Sequence, residues 1–309
     1  MKPKDVHDGG WRGLAALCAS LVLACNLPRG TASIPAARTA PATNVVAVVA
    51  PAPIAPSDIV RLVAARDDLY VIEPSLVRRY ILHALPRALQ FTQVMRWKEG
   101  ADKVVMGRPL DLFLDGEALY ILDSLGCLWR YDGPAYARSF VPLRLQSTQG
   151  KPVALALWQG DLLLLDPDKK EVWRYAPSNG GYNTVPHPLL AHSSSLLSGA
   201  TRLAPSAAGL LVSRSDGSLV LVPWSRPDAP RLLPVRGVLG FWTSPGSSEA
   251  YVATAASVKK IDAARGAVQS STAIDGLDGE TPRDLARSPS GAFYVLTATR
   301  ILRLTVRSL

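Results

Sequence analysis

Residues 109–132 read PLDLFLDGEALYILDSLGCLWRYD. The apolar runs are short, rich in Leu, Tyr and Trp, and bounded by turn formers, which is the pattern of strands joined by tight hairpins. A turn residue leads into an apolar strand. A second strand of the form Leu-Tyr-x-Leu-Asp follows, and after a turn a third strand ends in Arg-Tyr. The same order returns in PVALALWQGDLLLLDPDKKEVWRYA (152–176) and in SDIVRLVAARDDLYVIEPSLVRRY (57–80). Weaker copies are ATRLAPSAAGLLVSRSDGSLVLV (200–222), GVLGFWTSPGSSEAYVATAASVKKID (237–262) and PRDLARSPSGAFYVLTATRILRL (282–304). Aligning the second strands pairs Leu69, Leu119, Leu162, Leu210, Ala250 and Phe293, at intervals of 40 to 50 residues.

A repeat of that length is one small antiparallel sheet that cannot cover both of its faces alone. Sheets packed face to face around an axis bury those faces and leave only short edges. The expected fold is all-β, a six-bladed β-propeller over residues 58–309 with about four antiparallel strands per blade. An outer strand falls in the linkers, for example at 139–145, with a short helix as the alternative at 87–97. The last copy stops near Leu304 with no outer strand of its own. The run VVAVV at 45–49 is a strong strand sequence inside an Ala/Pro-rich segment, and it is expected to complete the last blade and close the ring. The pattern Pro-x-Asp-Leu…Leu-Tyr-x-Leu-Asp…Arg-Tyr resembles six-bladed propellers of the NHL, TolB-like and SMP-30-like group. That resemblance is specific for architecture and poor for activity, because these folds host hydrolases, lyases, scaffolds and sensors.

Composition agrees. The chain has 309 residues, of which 48% are hydrophobic, enough for a sizeable core. Pro (25) and Gly (23) are abundant, which favours turns over long helices. Beyond the N-terminus no apolar run reaches the roughly 20 residues of a spanning helix. The first 24 residues read as a signal peptide: Lys2, Lys4 and Arg12, then an apolar stretch over 14–24. Val22-Leu23-Ala24-Cys25 resembles a bacterial lipobox, which implies lipidation of Cys25, export to the cell envelope and a membrane anchor. Simple cleavage and retention as an uncleaved anchor are the alternatives. Residues 25–57, rich in Ala, Pro, Thr and Ser, read as a tether. Of the three cysteines, Cys18 leaves with the signal and Cys25 is lipidated. Cys127 then has no partner for an intramolecular disulfide.

No GxSxG, HExxH, CxxC, P-loop or GxGxxG is present. His187 and His192 lie in an irregular stretch without a third ligand. Asp58, Asp111 and Asp284 stand at inner-strand starts, where they line one channel mouth or cap strand backbones; Ala154 and Arg202 occupy equivalent places. In the SMP-30-like group that mouth holds a divalent metal, which implies Ca²⁺ and a lactone hydrolase, although the family's Glu and Asn ligands find no match here. Trp129, Tyr131, Trp173 and Tyr175 alternate with Arg130 and Arg174, so the aromatics share one sheet face. They serve blade packing or an aromatic binding groove, and Tyr182 tips a nearby loop. The net charge of +9 is spread thinly, without the dense basic run of a nucleic-acid binder. The leading expectation is a monomeric, non-catalytic binding or scaffold module for a protein or cell-envelope polysaccharide. The alternatives are the calcium-dependent hydrolase and an assembly factor for an envelope complex.

Overall fold

Strands of two to seven residues, turning back on themselves at Gly- or Asp-containing corners, build the computed structural model of this chain. The structure describes residues 39–40, 45–48, 61–65, 68–73, 76–82, 89–95, 107–116, 118–132, 141–143, 150–178, 181–183 and 185–304. All of them belong to one compact unit, Ala37–Leu309. Cys25 and Asp58 lie outside the described residues. Among those described, the helical content is one 3-10 turn, Ser195–Leu197.

Six antiparallel sheets follow one another in sequence. Sheet 1 is Leu62–Ala64, Asp68–Glu73, Leu76–Leu82 and Leu89–Met95; sheet 2 is Pro109–Asp115, Ala118–Asp123, Leu128–Asp132 and Val141–Leu143. Sheet 3 is Ala154–Trp158, Asp161–Asp166, Glu171–Tyr175 and His187–Pro188; sheet 4 is Ala200–Pro205, Gly209–Arg214, Leu219–Pro223 and Arg231–Leu232. Sheet 5 is Gly240–Thr243, Glu249–Ala253, Ser257–Asp262 and Val268–Ala273, with Thr39–Ala40 added in parallel at its outer edge. Sheet 6 is Asp284–Arg287, Phe293–Leu296 and Ile301–Leu304, with Val45–Val48 as its fourth strand. That strand runs antiparallel to Ile301–Leu304, Val45 facing Leu304 and Val48 facing Ile301. The short helix that stood as the alternative at 87–97 is instead the strand Leu89–Met95. It pairs along the whole of Leu76–Leu82, and the ladder on offer there outweighs a weak local helical preference. The outer strand expected at 139–145 is Val141–Leu143.

The sheets bury apolar faces only against each other. One cluster joins sheets 1 and 2 through Tyr70, Ile72, Leu119 and Ile121. Equivalent clusters join 2 to 3, 3 to 4, 4 to 5 and 5 to 6. A sixth joins sheet 6 back to sheet 1 through Leu62, Val71, Tyr294 and Ile301. With about 1.5–3 kcal/mol for each fully buried Leu, Ile or Val, these interfaces and not the isolated sheets hold the fold. The first strands adjoin in the same order, each beside the next, and Asp284–Arg287 lies beside Leu62–Ala64. Gly240 marks the closest approach: a Cβ there would sit 2.6 Å from the Asp284 Cα.

Candidate functional site

The register of the first strands fixes what stands at their starting ends. Leu62, Leu112, Leu155, Leu203, Phe241 and Leu285 face equivalent residues of the second strands. The preceding residues are therefore Arg61, Asp111, Ala154, Arg202, Gly240 and Asp284. The place in sheet 1 that corresponds to Asp111 is held by Arg61, not by Asp58. The fifth place, which the sequence leaves open near Leu239, is Gly240. A β-bulge precedes Asp111 and another precedes Arg202, so both side chains are re-aimed at the point where the strand begins.

Two arginines and two aspartates close this end. Arg61 Nε donates to Asp111 Oδ1 at 2.9 Å, and its Nη2 reaches the carbonyl of Thr201 in sheet 4. The backbone N–H of Leu155, on the neighbouring sheet, donates to Asp111 Oδ2 at 2.8 Å. Asp284 repeats the device: Oδ2 accepts from Leu62 N at 2.7 Å, and Oδ1 accepts from Leu285 N at 2.8 Å and from the Arg202 guanidinium. Arg202 also lies over the Phe241 ring, 5.4 Å from its centroid. Burial pushes the Asp111 carboxyl above its usual range, against the pull of Arg61 and Arg202. Burial, then repulsion from Arg61, brings Arg202 down to about 10.

This donor set does not fit Ca²⁺. A calcium ion takes six to eight oxygens, supplied by carboxylates, carbonyls and water. Here all four carboxylate oxygens already accept hydrogen bonds, and two guanidinium groups stand where a cation would sit. Among the described residues no group of three or more His, Cys, Asp or Glu side chains is placed to hold a metal ion.

Trp129, Trp173, Tyr175 and Tyr182 pack into the sheet interfaces. Trp129 is buried between sheets 1 and 2, its Nε1 donating to Asp123 Oδ2 at 2.8 Å. Tyr175 is buried between sheets 2 and 3, where desolvation raises its hydroxyl to about 12. Trp173 and Tyr182 are half-buried against the same cluster, and burial followed by the neighbouring Tyr120 pushes Tyr182 up as well. Tyr131 pairs with Leu119 in the ladder of sheet 2. His187 and His192 are exposed, and only His187 lines a cavity.

That cavity opens where the first and second strands of sheet 3 meet, away from the Arg/Asp end. It is a cleft of about 760 Å³ between sheets 3 and 4, lined by Trp158, Asp161, Arg174, His187 and Trp224 over a floor of Leu163. Its inner wall is an indole pair: Trp158 and Trp224 stack with centroids 4.6 Å apart and 7° between planes. Trp224 is pinned by its Nε1, which donates to the Ser206 carbonyl at 2.8 Å. Asp228, in the loop between Leu219–Pro223 and Arg231–Leu232, accepts from Ala191 N, in the segment after His187–Pro188. Along the cleft, Arg174 Nε donates to the buried Asp161 carboxylate while more than half of the arginine side chain stays exposed. Trp158 runs into the turn Gln159-Gly160, where φ is positive at both residues (53° and 87°). Two-residue hairpins favour such turns because their twist matches the strands, but Gln is an uncommon choice for the first position. Trp158 and Gln159 also border a second, shallower hollow of about 520 Å³ with Phe113, Leu114 and Pro245. Sequence reading missed this site: Trp158 and Trp224 belong to different repeats, and neither stands in the Trp-Arg-Tyr pattern.

No family model matches the chain, and no curated protein matches it in sequence. Solved structures do. A streptogramin B lyase superposes with a TM-score of 0.54 at 8% identity, covering 85% of this chain and 97% of its own. Apo AztD from Citrobacter koseri gives a TM-score of 0.50 at 12% identity over 77% of this chain and 80% of its own. Both are β-propellers, and this chain has that fold.

Proposed function

We propose that the protein is an exported, lipid-anchored propeller of six blades that binds an envelope partner without transforming it, using the cleft between sheets 3 and 4. The observation that carries the reading is the cleft itself. It spans two sheets and is held at its inner wall by stacked indoles, one of them pinned through its Nε1, and so needs little ordering when a partner arrives. The six interface clusters, the last joining sheet 6 to sheet 1, support one ring, and Val45–Val48 on Ile301–Leu304 supports its closure by the N-terminal strand. Residues 1–25 support export and anchoring at Cys25.

Of the three carboxylates of the hydrolase reading, Asp111 and Asp284 are already committed to hydrogen bonds. Melting curves of the full chain recorded with and without millimolar calcium are therefore expected to coincide within about 1 °C. A rise of several degrees that disappears in Asp111→Ala would instead favour a metal-dependent enzyme. Anchoring has its own test. Radiolabelled fatty acid is expected to enter the wild-type chain in bacterial cells and not Cys25→Ser, which leaves the membrane fraction. Equal labelling of the two would remove the anchor from this proposal.

A further inference from the structure

We infer that the Trp158–Trp224 cleft and the adjoining hollow form one binding track for an oligosaccharide, with Trp158 as the platform between its two halves. This rests on the reading of the protein as a binding module and names the ligand class. Three observations carry it.

The first is the shape of the aromatic wall. The indoles lie flush, 4.6 Å apart, so no ring slides between them. A proline-rich peptide needs slots between aromatic side chains, and an added strand needs a free sheet edge. Each indole covers one face of the other, so the pair offers the ring surface left outside the stack, an apolar platform for the C–H face of one pyranose ring.

The second is the polar row. Asp161, Arg174 and His187 come from three adjacent strands of sheet 3 and face sheet 4 beside the indoles. The Asp161–Arg174 pair sets a fixed acceptor beside fixed planar donors, and the imidazole adds one more of each. Hydroxyl groups around a sugar ring both give and accept hydrogen bonds, so they match such a mixed rim. The carboxylate already balances the guanidinium, so the row selects hydroxyls over a strongly anionic group.

The third is continuity. Trp158 and Gln159 border both the 760 Å³ cleft and the 520 Å³ hollow, so a chain can pass from one to the other over the same indole. Gln159, held in the hairpin turn, lines both spaces and adds an amide donor and acceptor at that crossing.

Titration calorimetry and tryptophan fluorescence on the full chain, with cellohexaose, chitohexaose and hexagalacturonate as probes, test this. At least one neutral hexamer is expected to bind saturably with a change in indole emission, more tightly than its own disaccharide. Trp158→Ala and Arg174→Ala are each expected to weaken it about tenfold or more. Arg174→Ala strands the buried Asp161 carboxylate and is expected to lower the melting temperature as well, so His187→Ala, at an exposed residue of the same row, is expected to weaken binding at the parent melting temperature and to separate lost binding from lost fold. No binding of any probe at millimolar concentration overturns the inference. So does binding unchanged in all three variants, which places the sugar elsewhere but leaves a binding module. A proline-rich peptide that binds through Trp158 where no sugar does overturns the ligand class. If new reducing ends appear during the titration, the non-catalytic reading fails while the track stands.

Discussion

Asp284→Ala is expected to lower folding stability by about 3–5 kcal/mol, the range for removing one partner of a buried ion pair. Three groups lose their acceptor at once. Leu62 N and Leu285 N are buried backbone donors, and the Arg202 guanidinium is left as a charge without its nearest counter-ion. The loss comes more from those orphaned groups than from the attraction itself, because desolvation offsets much of a buried pair. A second substitution separates the two. Arg202→Met in the Asp284→Ala background removes the stranded charge and keeps apolar contact with Phe241, so urea denaturation is expected to show the double variant no less stable than Asp284→Ala alone. If both single variants unfold within about 1 kcal/mol of the parent, the quartet is not what fastens sheet 6 to sheets 1 and 4.

The second large effect lies at a hairpin. Asp123 is fully buried and accepts four hydrogen bonds: Leu125 N at 2.9 Å and Cys127 N at 2.8 Å on Oδ1, Gly107 N at 2.9 Å and Trp129 Nε1 at 2.8 Å on Oδ2. Asp123→Ala is expected to cost about 3–4 kcal/mol, since three backbone N–H groups and an indole N–H lose this acceptor at once. Asp166 holds the same place in sheet 3 and is equally buried, yet its Oδ1 accepts from Lys169 N at 3.0 Å and its Oδ2 has no partner. Asp166→Ala is therefore expected to cost about 1 kcal/mol or less. Parallel chemical denaturation of the two variants reads the difference. Equal losses would mean that the aspartate serves the turn backbone alone and that the Trp129 and Gly107 bonds contribute little.

This contrast also shows how far the sequence could be read. Asp123 and Asp166 look alike in it, both closing a Leu-rich second strand before a turn. Their difference lies in the residues that return to meet them. Strands and hairpins were legible because a short apolar run between turn formers has few other uses. The strand Leu89–Met95 was not, because LQFTQVM has no turn signal inside it and takes its form from Leu76–Leu82. The inner end was read with carboxylates at Asp58, Asp111 and Asp284 and without Arg61. Matching apolar residues aligns repeats only approximately, whereas the ladder fixes Leu62 opposite Val71 and so sets Arg61 in the equivalent place. Trp129 and Tyr175 drew attention by alternating with arginine, and that alternation is the mark of a buried interface. The cleft could not be read at all, since Trp158 and Trp224 meet only because sheet 3 adjoins sheet 4.

Disulfide trapping between the two ends of the described chain bears most directly on the ring. Val46 faces Arg303 and Ala47 faces Leu302 across the outer ladder of sheet 6. In adjacent pairs of an antiparallel ladder one pair has the shorter Cα separation, within disulfide reach. In a chain whose native cysteines are replaced by serine, cysteines at one of these two pairs are expected to oxidise fully within the folded monomer, seen as an intramolecular loss of two hydrogens by mass spectrometry. If both pairs stay reduced, or join only between molecules, the N-terminal strand does not complete the last sheet and the closed ring is wrong.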